Sequence, residues 1–398
     1  MMPGRENKRI TISCGVRQGR LRFGPYCRII TILLCLLAVC SFASAALLCS
    51  IPGKDGPSAP SGIINTYYPG TSSVSAGSIS IPVGFPSGDL SKLISTGDLL
   101  IVIQMQDADI SYNNDTSYGG TGAGSGYTSL NQAGLYEYVT AAGPVSGGYV
   151  PITSNLANSY HNRAASATNG QSTFQVIRVP QYSTATIAGS VSALPWNGTV
   201  GGVVAMDVAG TLTIGGGNTI TASGAGFRGG FGRILGGGAG TNADVRTSYT
   251  NNANGSKGEG IAGTPQYLNS PATFNGPPAQ TAALGSGYPD GTTTNASYGY
   301  GAPGNAGGGG TDGNPAANDQ NSGGGGGGNY AAGAKGGNSW SSNLPVGGEG
   351  GGAVTGLAFN RVVMGGGGGA GTTNNGTADN NATYTNPAGN PCTAGAGA

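Results

Sequence analysis

The sequence predicts a mainly β protein: a β-sandwich-like domain followed by a glycine-rich β region in which glycine runs bundle as polyglycine-II helices. Three observations carry this expectation. First, Gly323 to Gly328, Gly365 to Gly369 and Gly307 to Gly310 are unbroken glycine runs, and 56 of the 80 glycines fall between residues 201 and 398. Glycine has no side chain to bury and loses the most backbone entropy on folding, so such runs become ordered only through backbone hydrogen bonds between neighbouring segments. Second, short apolar and β-branched segments are bounded by Gly, Pro, Asn and Ser, and no useful window keeps a helical period. Third, only 8% of residues are charged, against roughly a quarter in average globular proteins. The alternative fold class is a β-helix-like arrangement.

Seven basic residues lie before residue 29, and Glu6 alone offsets them. The apolar run Ile29 to Leu48 follows and contains Ala43-Ser44-Ala45. A basic segment, an apolar segment and a small-x-small site form a secretory signal, here residues 1–45. The alternative is an uncleaved anchor, because about 20 apolar residues span a bilayer. Cleavage after Ala45 leaves ten basic and fifteen acidic residues. That acidic balance argues against nucleic acid or an anionic membrane as partner. The expected address is the extracellular space or the cell surface, with membrane contact only through the signal segment. Cys49 and Cys392 remain after cleavage; whether they pair is left open by two cysteines near opposite ends.

Residues 46–62 read as a linker, rich in Pro and Gly. Residues 63–195 read as the β-domain. Ser78 to Val83 alternates, Leu99 to Met105 is a continuous apolar run suited to a buried strand, and Tyr136 to Val139 and Phe174 to Val179 follow, the last stopped by Pro180. Residues 196–376 form the glycine-rich region. It opens with Val203 to Ile214 and Asn218 to Ala222, short strands between glycine turns that suit β-helix rungs or a hairpin. Leu357 to Met364 reads as a strand that delivers the five-glycine run. Each run would form a left-handed helix with three residues per turn, bonded to its neighbours where no Cβ intervenes; the alternative is a solvated linker. Residues 377–398 read as a flexible tail.

This texture, with Arg361-Val362-Val363-Met364 before five glycines and Ser322 before six, resembles the glycine-rich domain of the anaplastic lymphoma kinase receptor family. More closely, residues 63–376 resemble the N-terminal region of bacterial glycine-rich, adhesin-like surface proteins, which often carry downstream β-sandwich repeats of unknown function. Gly97 to Ala108, Phe174 to Tyr182, Asp207 to Leu212, Asn305 to Asn321 and Gly365 to Thr372 carry that likeness. It implies a bacterial surface or extracellular location and brings no catalytic motif.

Catalytic devices fare poorly. Gly224-Ala225-Gly226-Phe227-Arg228-Gly229 fits a dinucleotide fingerprint, but the residues after it would not form the required helix, so no nucleotide and no organic cofactor are expected. His161 is the single histidine and no G-x-S-x-G elbow accompanies it, so it reads as a surface-loop residue. Asp98, Asp107, Glu137 and Asp207 are the carboxylates available for a glycoside-cleaving pair. Asp312, Asn314, Asn318 and Asp319 follow a glycine run and would offer hard oxygens to calcium; the alternative is a polar turn. Asp107, Asp109 and Asp115 are weighed in the same way. Tyrosine among Ser, Gly and Asn in loops 111–128 and 285–302 either forms a binding surface or packs over glycine backbone. The sequence thus favours a secreted or cell-surface structural or adhesive module without catalysis, meeting a surface glycan or protein. The alternative is a carbohydrate-active enzyme on a β-helix-like fold, which would show carboxylates converging in one cleft.

Overall fold

The computed structural model describes residues 50–230, 233–234, 244–248, 254–266, 268, 285–311, 321–339, 345–373, 384–385 and 391–392, and no helix occurs among them. In chain order the strands are β1 (Gly56–Ser58), β2 (Thr66–Pro69), β3 (Ser80–Pro82), β4 (Ser87–Gly88), β5 (Leu99–Gln106), β6 (Ser125–Gly126), β7 (Tyr136–Thr140), β8 (Tyr149–Pro151), β9 (Thr173–Val179) and β10 (Gln181–Thr186). Then come β11 (Val191–Ser192), β12 (Asp207–Val208), β13 (Leu212–Thr213), β14 (Ile220–Thr221), β15 (Arg233–Ile234), β16 (Ala302–Pro303), β17 (Thr372–Thr373), β18 (Tyr384–Thr385) and β19 (Pro391–Cys392). The fold is mainly β, as the sequence predicts.

The apolar run at Leu99 is continuous because both of its faces are covered. β5 lies in an antiparallel five-stranded sheet of order β4-β2-β9-β5-β7, with Ile101 opposite Ile177 and Val102 opposite Val176. Ile101, Ile103 and Met105 point to one face and pack with Tyr67, Ile177, Phe227 and Ile261. Leu100 and Val102 point to the other and pack with Tyr68, Phe174, Val176 and Val139. A ribbon of β3 and β8 contributes Ile81 and Val150 to that second face. Each such fully buried side chain contributes about 1.5–3 kcal/mol.

Beside the sheet stands a stack of parallel layers. β10 pairs in parallel with β1 on one edge and with β12 and β13 on the other. Val191 of β11 bridges Gly62 and, in parallel, Ile220 of β14. Residues 56–62, which read as linker from their Pro and Gly, thus form the first layer, and 207–221 form the third.

The glycine runs are ordered against one another. From the central arm, Gly325 donates to the Gly308 carbonyl and Gly328 to that of Asn305, both at 2.8 Å. Gly323 and Gly326 donate to Gly337 and Ala334. The same arm accepts from Gly369 and Gly366 at the carbonyls of Gly325 and Gly328, and from Gly348 and Gly351 at those of Gly323 and Gly326. Each neighbour is met at intervals of three residues, the period of a polyglycine-II helix. None of the glycines in the three long runs has positive φ, so where a run requires glycine the reason is steric. A Cβ on Gly325 would lie 2.0 Å from the Glu349 oxygen, and one on Gly327 would lie 1.8 Å from the Gly366 oxygen.

Leu357 to Met364 departs from the strand expectation. It forms a turn around Phe359 and one isolated bridge, Leu135 to Arg361. Its backbone is taken up by the β5–β7 connection: Val362 donates to Gly134, and Tyr136 donates to Asn360. The Arg361 guanidinium closes the contact on the carbonyls of Ala133 (2.7 Å) and Asn131 (2.6 Å). This segment ties the last glycine arm to the sheet.

Candidate functional site

The carboxylates that could carry chemistry sit in different surroundings. Asp98 is buried at the start of β5, between Arg178 Nε (2.9 Å) and Lys54 Nζ (2.6 Å). Burial alone would raise its pKa, but the Arg178, Lys54 and Ser95 bonds outweigh that and hold it below the usual carboxylate range. Arg178 also reaches Asp55 at 2.7 Å, so this network fastens residues 54–55, ahead of the first stack layer, to the sheet. Glu137 accepts from the N–H groups of Ala157 and Asn158 and from the Tyr160 hydroxyl, and so pins the 153–160 loop.

Asp107, also buried, holds three side chains. His161 Nδ1 is 2.9 Å from one oxygen, while Ser172 Oγ (2.6 Å) and Arg163 (3.3 Å) meet the other. His161 is therefore a half-buried residue tied to a carboxylate instead of a loose surface-loop residue. The order of contacts matters chemically. In a nucleophilic triad histidine stands between serine and carboxylate; here the carboxylate stands between serine and histidine. Asp109 takes Asn131 Nδ2 at 2.7 Å on one oxygen while the other is buried without a hydrogen-bond partner among the described residues, and Asp115 caps Ser117 at 2.8 Å. Among the described residues no three His, Cys, Asp or Glu side chains come together as metal ligands. Asp312, Asn314, Asn318 and Asp319 lie outside the described residues.

The two tyrosine-rich loops meet. β6 and β16 pair in parallel, and Arg246 reaches the carbonyls of Tyr112 and Asp290, one from each loop. Their tyrosines are mostly interior: Tyr118, Tyr288 and Tyr298 are buried. Tyr288 donates to the carbonyls of Gly258 (2.6 Å) and Gly263 (3.1 Å). Lys257 is wholly buried among them, and its Nζ reaches the carbonyls of Val245, Gly299 and Gly301 at 2.6–3.1 Å and faces the Tyr118 ring at 4.6 Å. Burial, then the Arg246 charge, pushes its pKa well down; three carbonyl acceptors nonetheless match the three donors of an ammonium. These tyrosines and this lysine cover glycine backbone that has no side chains of its own. The Gly224–Gly229 motif has a similar use. Phe227 meets Trp196 edge-on at 5.7 Å, and Arg228 forks onto Glu259 at 2.8 and 3.0 Å. It receives the glycine arm at Gly365.

An open cleft of about 470 Å³ occurs among the described residues. It lies where the sheet meets the stack and is lined by Leu99, Tyr138, Val179, Val204, Ala205, Met206 and Asp207. Tyr138 is 57% exposed on the edge strand β7, its ring edge-on to Tyr136 at 5.9 Å. Burial, then Tyr136 and Asp207, raises the Tyr138 pKa, so the phenol stays protonated at neutral pH. Asp207 is the single carboxylate in the lining. Glu137, adjacent in the strand, projects from the opposite face of β7. An aromatic wall, an apolar floor and one hydrogen-bonding acid suit reversible binding of a ring with polar edges. Sequence reasoning missed this cleft, because Tyr138 and Asp207 are 69 positions apart and only the sheet-to-stack junction joins them.

No protein-family model matches the chain, and no curated protein matches it. Among solved structures, the Gp54 tailspike of Acinetobacter baumannii bacteriophage AP22, in complex with A. baumannii capsular saccharide, aligns at 18% identity with a TM-score of 0.16. The alignment covers 33% of this chain and 17% of the tailspike, and a likeness this slight carries no argument.

Proposed function

We propose that the chain is an exported structural and adhesive module of the cell surface or extracellular space, without catalysis, that binds a surface glycan through the Tyr138 cleft. The observation that carries this reading is the cleft lining, an exposed aromatic face beside one carboxylate, Asp207. Aromatic rings stack on sugar faces, and a carboxylate accepts from sugar hydroxyls. Hydrolysis of a glycosidic bond ordinarily needs two carboxyl groups flanking that bond. Asp98, Asp107 and Glu137 are each engaged in holding other parts of the fold. The glycine bundle supports the same reading, since its backbone-to-backbone bonds hold loops in place.

A second reading, a carbohydrate-active enzyme, draws on the parallel three-layer stack. One experiment separates the two. The chain is assayed on a panel of surface polysaccharides, for binding and for release of reducing ends. The adhesive reading expects binding that Tyr138→Ala weakens by roughly tenfold, the scale of an aromatic contact, with no release. Release that Asp207→Asn abolishes would overturn it, as would binding unaffected by Tyr138→Ala.

A further inference from the structure

The last layer of the parallel stack is open where the layer beneath it is closed. By register, Ala185 lies under Leu212 and Val191 under Ile220, and two residues after Ala185, Ile187 follows the same ladder to Ile214. In the middle layer Ala185, Ile187 and Val191 are at most 2% exposed; in the last, Leu212, Ile214 and Ile220 are 39%, 51% and 36% exposed. The backbone repeats the contrast. The carbonyls of Thr211, Thr213, Thr219 and Thr221 accept from Ala185, Ile187, Val191 and Ala193. Successive peptide groups along a strand face opposite edges, so Leu212 and Ile220 turn theirs away from the stack. Among the described residues no strand pairs with that far edge.

We propose that this edge joins two copies of the chain through an antiparallel, two-fold pairing of their last layers, centred on Thr213. The layer itself selects a second copy as the occupant. Ala209 to Gly224 contains no charged residue, so two copies meet without like-charge opposition and without the edge lysines that block strand addition. Its sequence is locally self-complementary. A two-fold axis through Thr213 sets Leu212 against the partner subunit's Ile214, with their outward backbone groups exchanging bonds. Thr219-Ile220-Thr221 has the same symmetry about Ile220. The opposite end of the stack is blunted at Pro57, which lacks an N–H group. Pairing therefore closes as a dimer instead of running on as a fibre. Such a dimer would carry two Tyr138 clefts, but the pairing stands independently of what they bind.

Sedimentation velocity over a concentration series tests this on the purified chain. The wild type is expected to show a monomer–dimer equilibrium that Leu212→Lys with Ile214→Lys abolishes while the melting temperature stays unchanged. In a background of Cys49→Ser and Cys392→Ser, Thr213→Cys should oxidise to a covalent dimer, whereas Ser61→Cys at the blunted end should not. A wild type that stays monomeric with no Thr213→Cys cross-link would overturn the proposal. So would a dimer that survives the double lysine variant, or one that forms only after removal of 374–398, which would make the chain's own tail the occupant.

Discussion

Gly325→Ala is the substitution whose consequence follows most directly from the bundle geometry. The added Cβ would lie 2.0 Å from the Glu349 carbonyl oxygen, with further backbone atoms at 2.5 and 2.8 Å. Ordinary heavy-atom contact is near 3.5 Å, so the arms must part by roughly 1.5 Å. The bonds between these two arms, from Gly348 N to the Gly323 carbonyl and from Gly351 N to the Gly326 carbonyl, both 2.9 Å, would then stretch beyond hydrogen-bond range. Two lost bonds cost about 1 kcal/mol each, and the overpacking adds about 1–3 kcal/mol. The reduced freedom of the unfolded chain returns roughly 0.4–1 kcal/mol, leaving a net destabilisation of about 3 kcal/mol. With an unfolding entropy of roughly 2.1 cal/mol/K per residue over the roughly 280 described residues, the melting temperature should fall by about 5 °C. Gly337→Ala is the control, because no atom lies within 4 Å of its added Cβ; its melting temperature should hold or rise slightly. Thermal melting by circular dichroism reads both variants. An unchanged or higher value for Gly325→Ala would refute the steric argument and make the runs spacers.

The other expectations concern the buried polar groups. Arg178→Met strands Asp98 without its principal partner and should cost about 3–5 kcal/mol in chemical denaturation. The folded pKa of Asp98 lies below its unfolded value, so its stabilisation is present above about pH 4 and is lost as pH falls through the folded pKa; Asp98→Asn should flatten the acid limb of a stability–pH curve. Lys257→Met removes the ammonium from the carbonyls of Val245, Gly299 and Gly301; those of Val245 and Gly299 keep the N–H groups of Gly301 and Gly309, so the variant should destabilise by about 1–3 kcal/mol, measured in the same way. His161→Ala should cost under about 1 kcal/mol, since Asp107 keeps Ser172, Arg163 and the Gln132 N–H as partners, and should leave glycan binding unaltered.

The sequence carried the strands well where the chain itself sets them. Leu99 to Met105 was legible because a largely apolar run after Gly97-Asp98 has few other ways to be buried, and Phe174 to Val179 because its β-branched and aromatic residues stop at Pro180. The bundling of the glycine runs was legible for the converse reason, because backbone without side chains must bond to other backbone. What the sequence concealed depends on distant partners. Leu357 to Met364 has strand composition, yet the β5–β7 connection takes up its backbone groups and turns it. Residues 56–62 look like a linker until β10 supplies an edge for them. His161 gave no sign of Asp107, 54 positions away, nor Tyr138 of Asp207.

The central claim is that glycine backbone, bonded to glycine backbone, forms an ordered bundle tied to the sheet through Phe227 and Arg361. Amide hydrogen exchange resolved at single glycines tests it most directly. The N–H groups of Gly325, Gly328, Gly366 and Gly369 have backbone acceptors in neighbouring arms, while those of Gly324 and Gly327 have none among the described residues. The account predicts slow exchange at the first four and fast exchange at the other two, a three-residue rhythm that follows from the helix. Uniformly fast exchange across 323–328 and 365–369 would contradict it.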